Sequence, residues 1–255
     1  MAERSSAFST ADETVDTVFD GKLSVIQRKS GYRFSIDALL LAHFAAPKKS
    51  DRVVDLGAGS GVIALMLAAL HPAIEVYGVE LQAAMADRAR RSAALNGLHD
   101  RVKIVAGDVR AIEKLFPAQT FDLVVANPPY RLAASGRINP DAEKRVARHE
   151  IETKLQDFLE AAGHLLRRGG KAALVYPATR LVDLLHDMRE QRLEPKRMQL
   201  VHSFKGAEAS LALVEGSREG RAELKLLPPL TIYDEKREYT PEVHAILTGR
   251  ATAES

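Results

Sequence analysis

No cysteine occurs among the 255 residues, so the chain has no disulfide framework, no thiolate metal site and no cysteine nucleophile. That usage fits a reducing cytoplasm. Long apolar runs are missing as well: the longest, Val62 to Leu70, falls well short of the roughly 20 residues that span a bilayer. No membrane partner is therefore expected. Met1 to Thr17 is rich in Ser, Thr, Asp and Glu and lacks the basic start and apolar run of a secretory signal, so export is not expected either. Charge of either sign is scarcely in excess. A net charge of +2 says nothing about nucleic acid by itself, and only local clusters count. The histidines at 43, 71, 99, 149, 164, 186, 202 and 244 lack the paired helical spacing of a zinc site, and Gly-x-Ser-x-Gly is absent around Ser60. Metal catalysis and serine hydrolysis are set aside, and no metal is expected.

What is present is a 46% hydrophobic composition, enough at this length for one main core. Residues 1–20, acidic and poor in core formers, read as a mobile tail. Residues 21–50 read as a lid with a helix, because Ser35-Ile36-Asp37 precedes the apolar Ala38 to Phe44. Residues 51–220 form the main domain. Short β-branched runs near Arg52 to Leu56, Glu75 to Glu80, Val102 to Ala106, Phe121 to Ala126 and Lys171 to Tyr176 alternate with helical stretches, the pattern of a parallel α/β sheet. A helix around Arg180 to Gln191 follows, then Lys196 to His202 and Ala209 to Val214, which are predicted to form an antiparallel hairpin at one sheet edge. Residues 221–255 read as an arm, extended from Pro228 and ending in a short helix.

Four motifs carry the chemistry. Asp55-Leu56-Gly57-Ala58-Gly59-Ser60-Gly61 follows a strand and opens an apolar helix; its glycines permit a sharp turn and close approach of a ligand to the helix N-terminus. Nicotinamide and flavin folds use a related loop, and a tight turn without ligand has the same spacing. Glu80 ends the next strand, where a carboxylate can accept both hydroxyl protons of a ribose. Asp108, with Val109, follows the third strand and can accept from an adenine amino group or cap a short helix. Asn127-Pro128-Pro129-Tyr130 follows the fourth. Double proline stiffens the chain and lacks N–H donors, Asn127 adds a side-chain carbonyl, and Tyr130 offers a flat face with a polar tip. Such a cradle suits an amino group on a planar π system, held by two carbonyls so that its lone pair points at an electrophilic carbon.

Together these motifs resemble the class I amino-methyltransferases of the N6-adenine type, and within them the bacterial tRNA1(Val) adenine-37 N6-methyltransferase family. Gly31 to Leu41, Arg145 to Glu150 and the tail Leu230 to Tyr233 through Thr240 carry the narrower likeness. The resemblance implies a Rossmann-like fold, a mostly parallel seven-stranded sheet with helices on both faces and an antiparallel C-terminal hairpin, with S-adenosylmethionine as cofactor. It implies that Asp37, Asp55, Gly57, Ala58, Gly59, Gly61, Glu80, Asp108, Val109 and Asn127 contact the cofactor. Asn127, Pro128, Pro129 and Tyr130 would handle the target base. Arg131, Arg137, Lys144, Arg145 and Arg148 sit in a polar stretch after the motif and are candidate contacts to RNA, expected to be tRNA; a solvated helix face with internal ion pairs is the other reading. A protein glutamine amide is also planar and poorly nucleophilic, so a glutamine N5-methyltransferase remains an alternative, as does an inactive cofactor-binding module that contacts RNA. Enzymes of the glutamine kind usually carry a substantial helical domain before the glycine loop, and about fifty residues precede it here.

Overall fold

The computed structural model describes residues 8–30, 33–129 and 153–250. Strands β3 (Arg52–Leu56), β4 (Glu75–Glu80), β5 (Val102–Ala106) and β6 (Phe121–Ala126) have the expected bounds. They form the parallel part of the sheet; β3 and β6 lie inside it, covered on both faces, so their apolar runs are nearly continuous, while β5 is its edge, with Lys103 and Ala106 exposed. Val53, Leu123 and Val125 enter one core, while Val54, Leu56, Val124 and Ala126 enter the other. That alternation is the period of two of an extended chain.

β7 (Leu166–Pro177) starts before the expected Lys171, because Leu166 already pairs with Phe121 across a register shift. β8 (Leu193–Phe204) and β9 (Ala209–Arg218) form the expected antiparallel pair, and β9 lies antiparallel on β7. Across the sheet the order is β8, β9, β7, β6, β3, β4, β5, which accounts for the seven expected strands. The first core lies beneath helices α1 (Ile36–Phe44), α2 (Val62–Leu70), α3 (Ala83–Leu95) and the C-terminal helix α6 (Pro241–Thr248). On the other face lie α4 (Leu155–Leu165) and α5 (Leu181–Glu190). α1 begins where expected, although the Ser35 side chain makes no capping bond.

Three expectations need correction. The stretch read as a mobile tail contains β1 (Glu13–Val18), paired antiparallel with β2 (Leu23–Arg28). Its acidic charge is not solvating: Glu13 is buried and accepts two 2.7 Å bonds from the Arg91 guanidinium on α3, which hold its carboxyl down to about 2. Ser92 Oγ accepts from the Ile26 N–H and Asn96 Oδ1 from the Ser24 N–H, so α3 anchors the hairpin through side chains far away in sequence. The second correction concerns the β8–β9 pair, which is not the sheet margin. β10 (Lys225–Leu226) and β11 (Leu230–Tyr233) both add to the outer side of β8 in parallel, making nine strands. Third, the arm is accordingly part of the sheet and not a separate appendage. Such two- and four-residue strands pair through backbone groups that any side chain permits, so composition conceals them.

No helix among the described residues is long and apolar enough to cross a membrane.

Candidate active site

β3, β4, β5 and β6 run parallel, with Leu56 opposite both Val79 and Ala126, and Glu80 opposite Ala106. The residues following these strands therefore open on one edge: the glycine loop after β3, Leu81 after β4, Asp108 after β5 and Asn127 after β6. Asn127 and Gly57 leave neighbouring strands at the same level, about 5 Å apart in the hydrogen-bonding direction. Crevices of this kind at the carboxyl ends of an open α/β sheet are where ligands bind.

Gly57, Gly59 and Gly61 all have positive φ (73°, 56° and 79°), a region that side-chain-bearing residues rarely adopt. Gly61 has a second constraint, since a Cβ there would lie 3.0 Å from the Ala89 Cβ of α3. The loop amides are not free for a ligand, as the motif alone suggested. Gly57 and Ala58 each donate to the Val79 carbonyl at 2.9 Å, Gly61 donates to the Ala58 carbonyl at 2.8 Å, and Gly59 donates to Glu80 Oε2 at 2.9 Å. What the loop offers a ligand at these positions is space. Three of these amides fix the turn against β4, and the fourth, of Gly61, closes the turn on itself.

Glu80 is buried and accepts the Gln82 N–H with its other oxygen, at 2.8 Å. Burial pushes its pKa up, against the opposing pull of those backbone donors. Behind it Asp55 is 0% exposed; neither of its oxygens makes a hydrogen bond of ordinary geometry, although the Ala64 N–H lies close enough to pull its pKa down. Burial, then the adjacent Glu80 carboxylate, pushes Asp55 up to about 7. A native structure rarely leaves a buried carboxylate without a partner, and a cationic group brought to this edge would supply one.

Asp108 caps the short 3-10 helix Val109–Lys114 through the Arg110 N–H at 2.9 Å, and its carboxylate also accepts from the Arg110 guanidinium, which lowers its pKa. Val109 is buried beside it. Asp37 is buried in the first turn of α1. Pro128 and Pro129 continue from Asn127; Tyr130, Arg131, Arg137, Lys144, Arg145 and Arg148 lie outside the described residues. Two residues at this edge escaped the motif search. Leu81 is 48% exposed immediately after Glu80, offering an apolar face where a planar ring could rest. Phe158 of α4 lies under the loop, its ring 3.1 Å from where a Gly57 Cβ would be. An apolar residue just past a strand-end acid was the available signal for Leu81; Phe158 had none, being a hundred residues from the loop.

Residues 35–187 match the model of the methyltransferase small domain. The chain belongs to that methyltransferase family. Among similar proteins, a tRNA1(Val) (adenine(37)-N6)-methyltransferase of Porphyromonas gingivalis is 33% identical over 76% of this chain and 78% of its own length. Another enzyme of the same description, from Aeromonas hydrophila, is 34% identical over 71% of this chain and 75% of its own. A crystal structure of a predicted O-methyltransferase from Agrobacterium tumefaciens superimposes with a TM-score of 0.70, at 26% identity, covering 85% of this chain and 97% of that one. The methyltransferase uses S-adenosylmethionine, which supplies a sulfonium-activated methyl group, and the donor set fits it: orphaned Asp55 can meet its ammonium group and Glu80 its ribose.

The strap leading into α1 is tied down by Gln27 and Asp16. Gln27 Oε1 accepts the Phe34 N–H at 2.9 Å, while Gln27 Nε2 and the Arg33 guanidinium both donate to Asp16. Gln27→Leu keeps the volume and removes the two Gln27 bonds, leaving Arg33 on Asp16. We expect the KM for S-adenosylmethionine to rise by up to about tenfold with kcat nearly unchanged, as measured by initial rates. An unchanged KM would leave α1 a packing element only.

Proposed function

We propose that this methyltransferase modifies the exocyclic N6 amino group of an adenine in tRNA, in the anticodon loop, and that it works in the cytoplasm. The observation that carries this reading is Asn127-Pro128-Pro129 leaving β6 beside the glycine loop that leaves β3. Asn127 and the Pro128 carbonyl accept the two N–H bonds of the amino group. Holding both protons draws the lone pair out of conjugation with the ring and directs it along the line of displacement. When bound, S-adenosylmethionine would supply the electrophilic methyl carbon, its carbon–sulfur bond breaking as the N–C bond forms, and the proton released from the amino nitrogen would leave to water.

Glu80 holds the cofactor ribose, Asp55 its ammonium group, Leu81 and Val109 the faces of its adenine, and Asp108 the adenine amino group, sharing its carboxylate with Arg110. Asp37 closes over the cofactor from α1. Tyr130 stacks on the target base, which must leave its loop to reach Asn127. The names of the relatives support the tRNA acceptor. The glutamine and inactive-module alternatives find no observation in their favour.

The test is to incubate the protein with methyl-labelled cofactor and, separately, tRNA, ribosomal RNA, DNA and a release factor, then to digest the product and identify the labelled residue. N6-methyladenine from tRNA is expected; label only in release-factor glutamine would overturn the assignment. Arg145 and Arg148 are proposed to hold the phosphates flanking the target. Their joint replacement by Gln should weaken tRNA binding and reduce the slope of log K against log salt by about 2, as measured by a salt titration. An unchanged slope would remove them from the interface.

A further inference from the structure

We propose that Phe204, Tyr233 and Tyr239 form a base-stacking shelf for the RNA, standing beside the active-site mouth and receiving an unpaired nucleobase a few nucleotides from the target. The assignment rests on the RNA acceptor proposed above. Its observations are separate from those of the catalytic edge.

The three rings form one contiguous aromatic cluster, two of them stacked and the third tilted against them. Tyr239 lies on Tyr233 with ring centroids 5.2 Å apart and planes 21° from parallel, and Phe204 meets Tyr233 at 5.6 Å and 35°. Tyr239 is 44% exposed and Phe204 37%, so the stack is covered from within and open at both ends. The Arg237 guanidinium lies 5.9 Å from the centre of the Phe204 ring. Large aromatic surface left in water beside a cation is the composition of a nucleobase platform, since every base has a π-face to offer.

The shelf is rigid. Asp234 Oδ1 accepts the Lys236 and Glu238 N–H groups at 2.8 and 3.0 Å, the Asp234 N–H donates to the Glu238 carbonyl, and Tyr233 and Tyr239 face each other across an antiparallel bridge. On the inner side Thr240 is tied to β11 through the Thr231 and Ile232 carbonyls. A stack ordered before its ligand arrives loses little freedom when one more ring joins it.

The sheet register locates the shelf relative to Asn127. Ala126 pairs with Leu174, Leu174 with Val214, and Val214 with Met198. β8 therefore runs parallel to β6 but continues to Phe204, five residues beyond the level of Asn127. At strand spacings that is about 14 Å to the side and 16 Å further out. The β8–β9 hairpin and β11 make a wall above the catalytic edge, with aromatic rings at its top, so a loop inserting one base at Asn127 passes beside it.

Charge distinguishes this contact from a phosphate clamp. Lys205, Lys236 and Arg237 are outnumbered by Glu208, Asp234, Glu235 and Glu238 in the same turns. The shelf contributes stacking and not counterion release, so its loss should leave the salt dependence of binding untouched.

Tyr239→Leu, Phe204→Leu and Tyr239→Trp test this against the wild-type protein, with a tRNA shown to be methylated by the wild type. If the wild type methylates no RNA, the functional proposal fails and the shelf with it. If it does, the leucine variants should bind that tRNA roughly five- to a hundredfold more weakly. The slope of log K against log salt, the affinity for S-adenosylmethionine and kcat at saturating tRNA should all hold, and Tyr239→Trp should bind as well as wild type. Leucine variants that bind tRNA like wild type, a loss that the tryptophan does not repair, or a changed oligomeric state with tRNA affinity intact would each overturn the shelf, the last assigning the rings to a protein contact.

Discussion

Asn127→Ala is expected to lower kcat for methyl transfer by about 10²–10³-fold while the affinity for S-adenosylmethionine changes little. The size follows from what the side chain does. An adenine N6 amino group is a poor nucleophile because its lone pair is shared with the ring. Removing one acceptor leaves the amino group free to rotate back into conjugation. The cofactor site is built from other elements: the loop after β3 is held by β4, through Val79 and Glu80. Single-turnover rates at saturating tRNA and cofactor separate the two effects. Transfer at the native rate would show that the cradle does not act on the nucleophile. A parallel loss of cofactor affinity and rate would show that Asn127 serves mainly to hold the cofactor.

The second large effect is a reversal between stability and binding at Asp55. A buried carboxyl whose pKa is pushed up to about 7 is neutral in the folded protein when it would already be charged in the unfolded chain. Below the unfolded value of 3.8 both states hold the proton, and the favourable contribution is fully present. As pH rises toward 7 the unfolded chain releases its proton first, and folding stability falls by on the order of 4 kcal/mol. Urea unfolding of ligand-free protein should show wild type losing stability between pH 5 and 7.5 relative to Asp55→Asn. His43 and His71, whose pKa values are lowered by burial, act in the opposite sense over this range, but equally in both proteins. Glu13, held at about 2, titrates below it. Cofactor binding should run the other way. Ionised Asp55 is the partner proposed for a cationic ammonium group, so wild-type affinity should strengthen over the same pH range, and Asp55→Asn should bind roughly 10- to 100-fold more weakly with a flat profile. Parallel stability profiles for the two proteins would mean that Asp55 is charged, and paired, before the cofactor arrives.

In the proposed reading such a residue embodies a general conflict: a group poorly satisfied in the free protein destabilises the fold, and its partner would arrive with the ligand. Neither its burial nor its lack of partners is visible in Asp55-Leu56-Gly57. Both arise because α2 covers β3 on one face while Glu80 comes alongside from β4.

Much of the centre was legible in the chain itself. β3 to β6 could be bounded because central parallel strands are apolar at nearly every position, and the motifs at their ends sit where the strands stop. The first strand of the N-terminal hairpin was not legible, since Glu13-Thr14-Val15-Asp16-Thr17-Val18 is half polar and becomes a strand only on β2, where Arg91 of α3 receives Glu13 while Ser92 and Asn96 hold β2 itself. β10 and β11 were hidden for a related reason: an edge strand needs a neighbour more than a composition.

By itself, the sequence determined the alternation of strand and helix, the glycine turn, the acids at the second and third strand ends and the proline-stiffened acceptor at the fourth, because each follows from local periodicity and backbone stereochemistry. Tertiary structure alone decided that the loop amides are bonded to β4, that Asp55 stands buried without a partner, and that three aromatic rings from β8 and the arm meet above the catalytic edge. Those depend on which distant elements pack together, and burial, unlike propensity, is a property of neighbours.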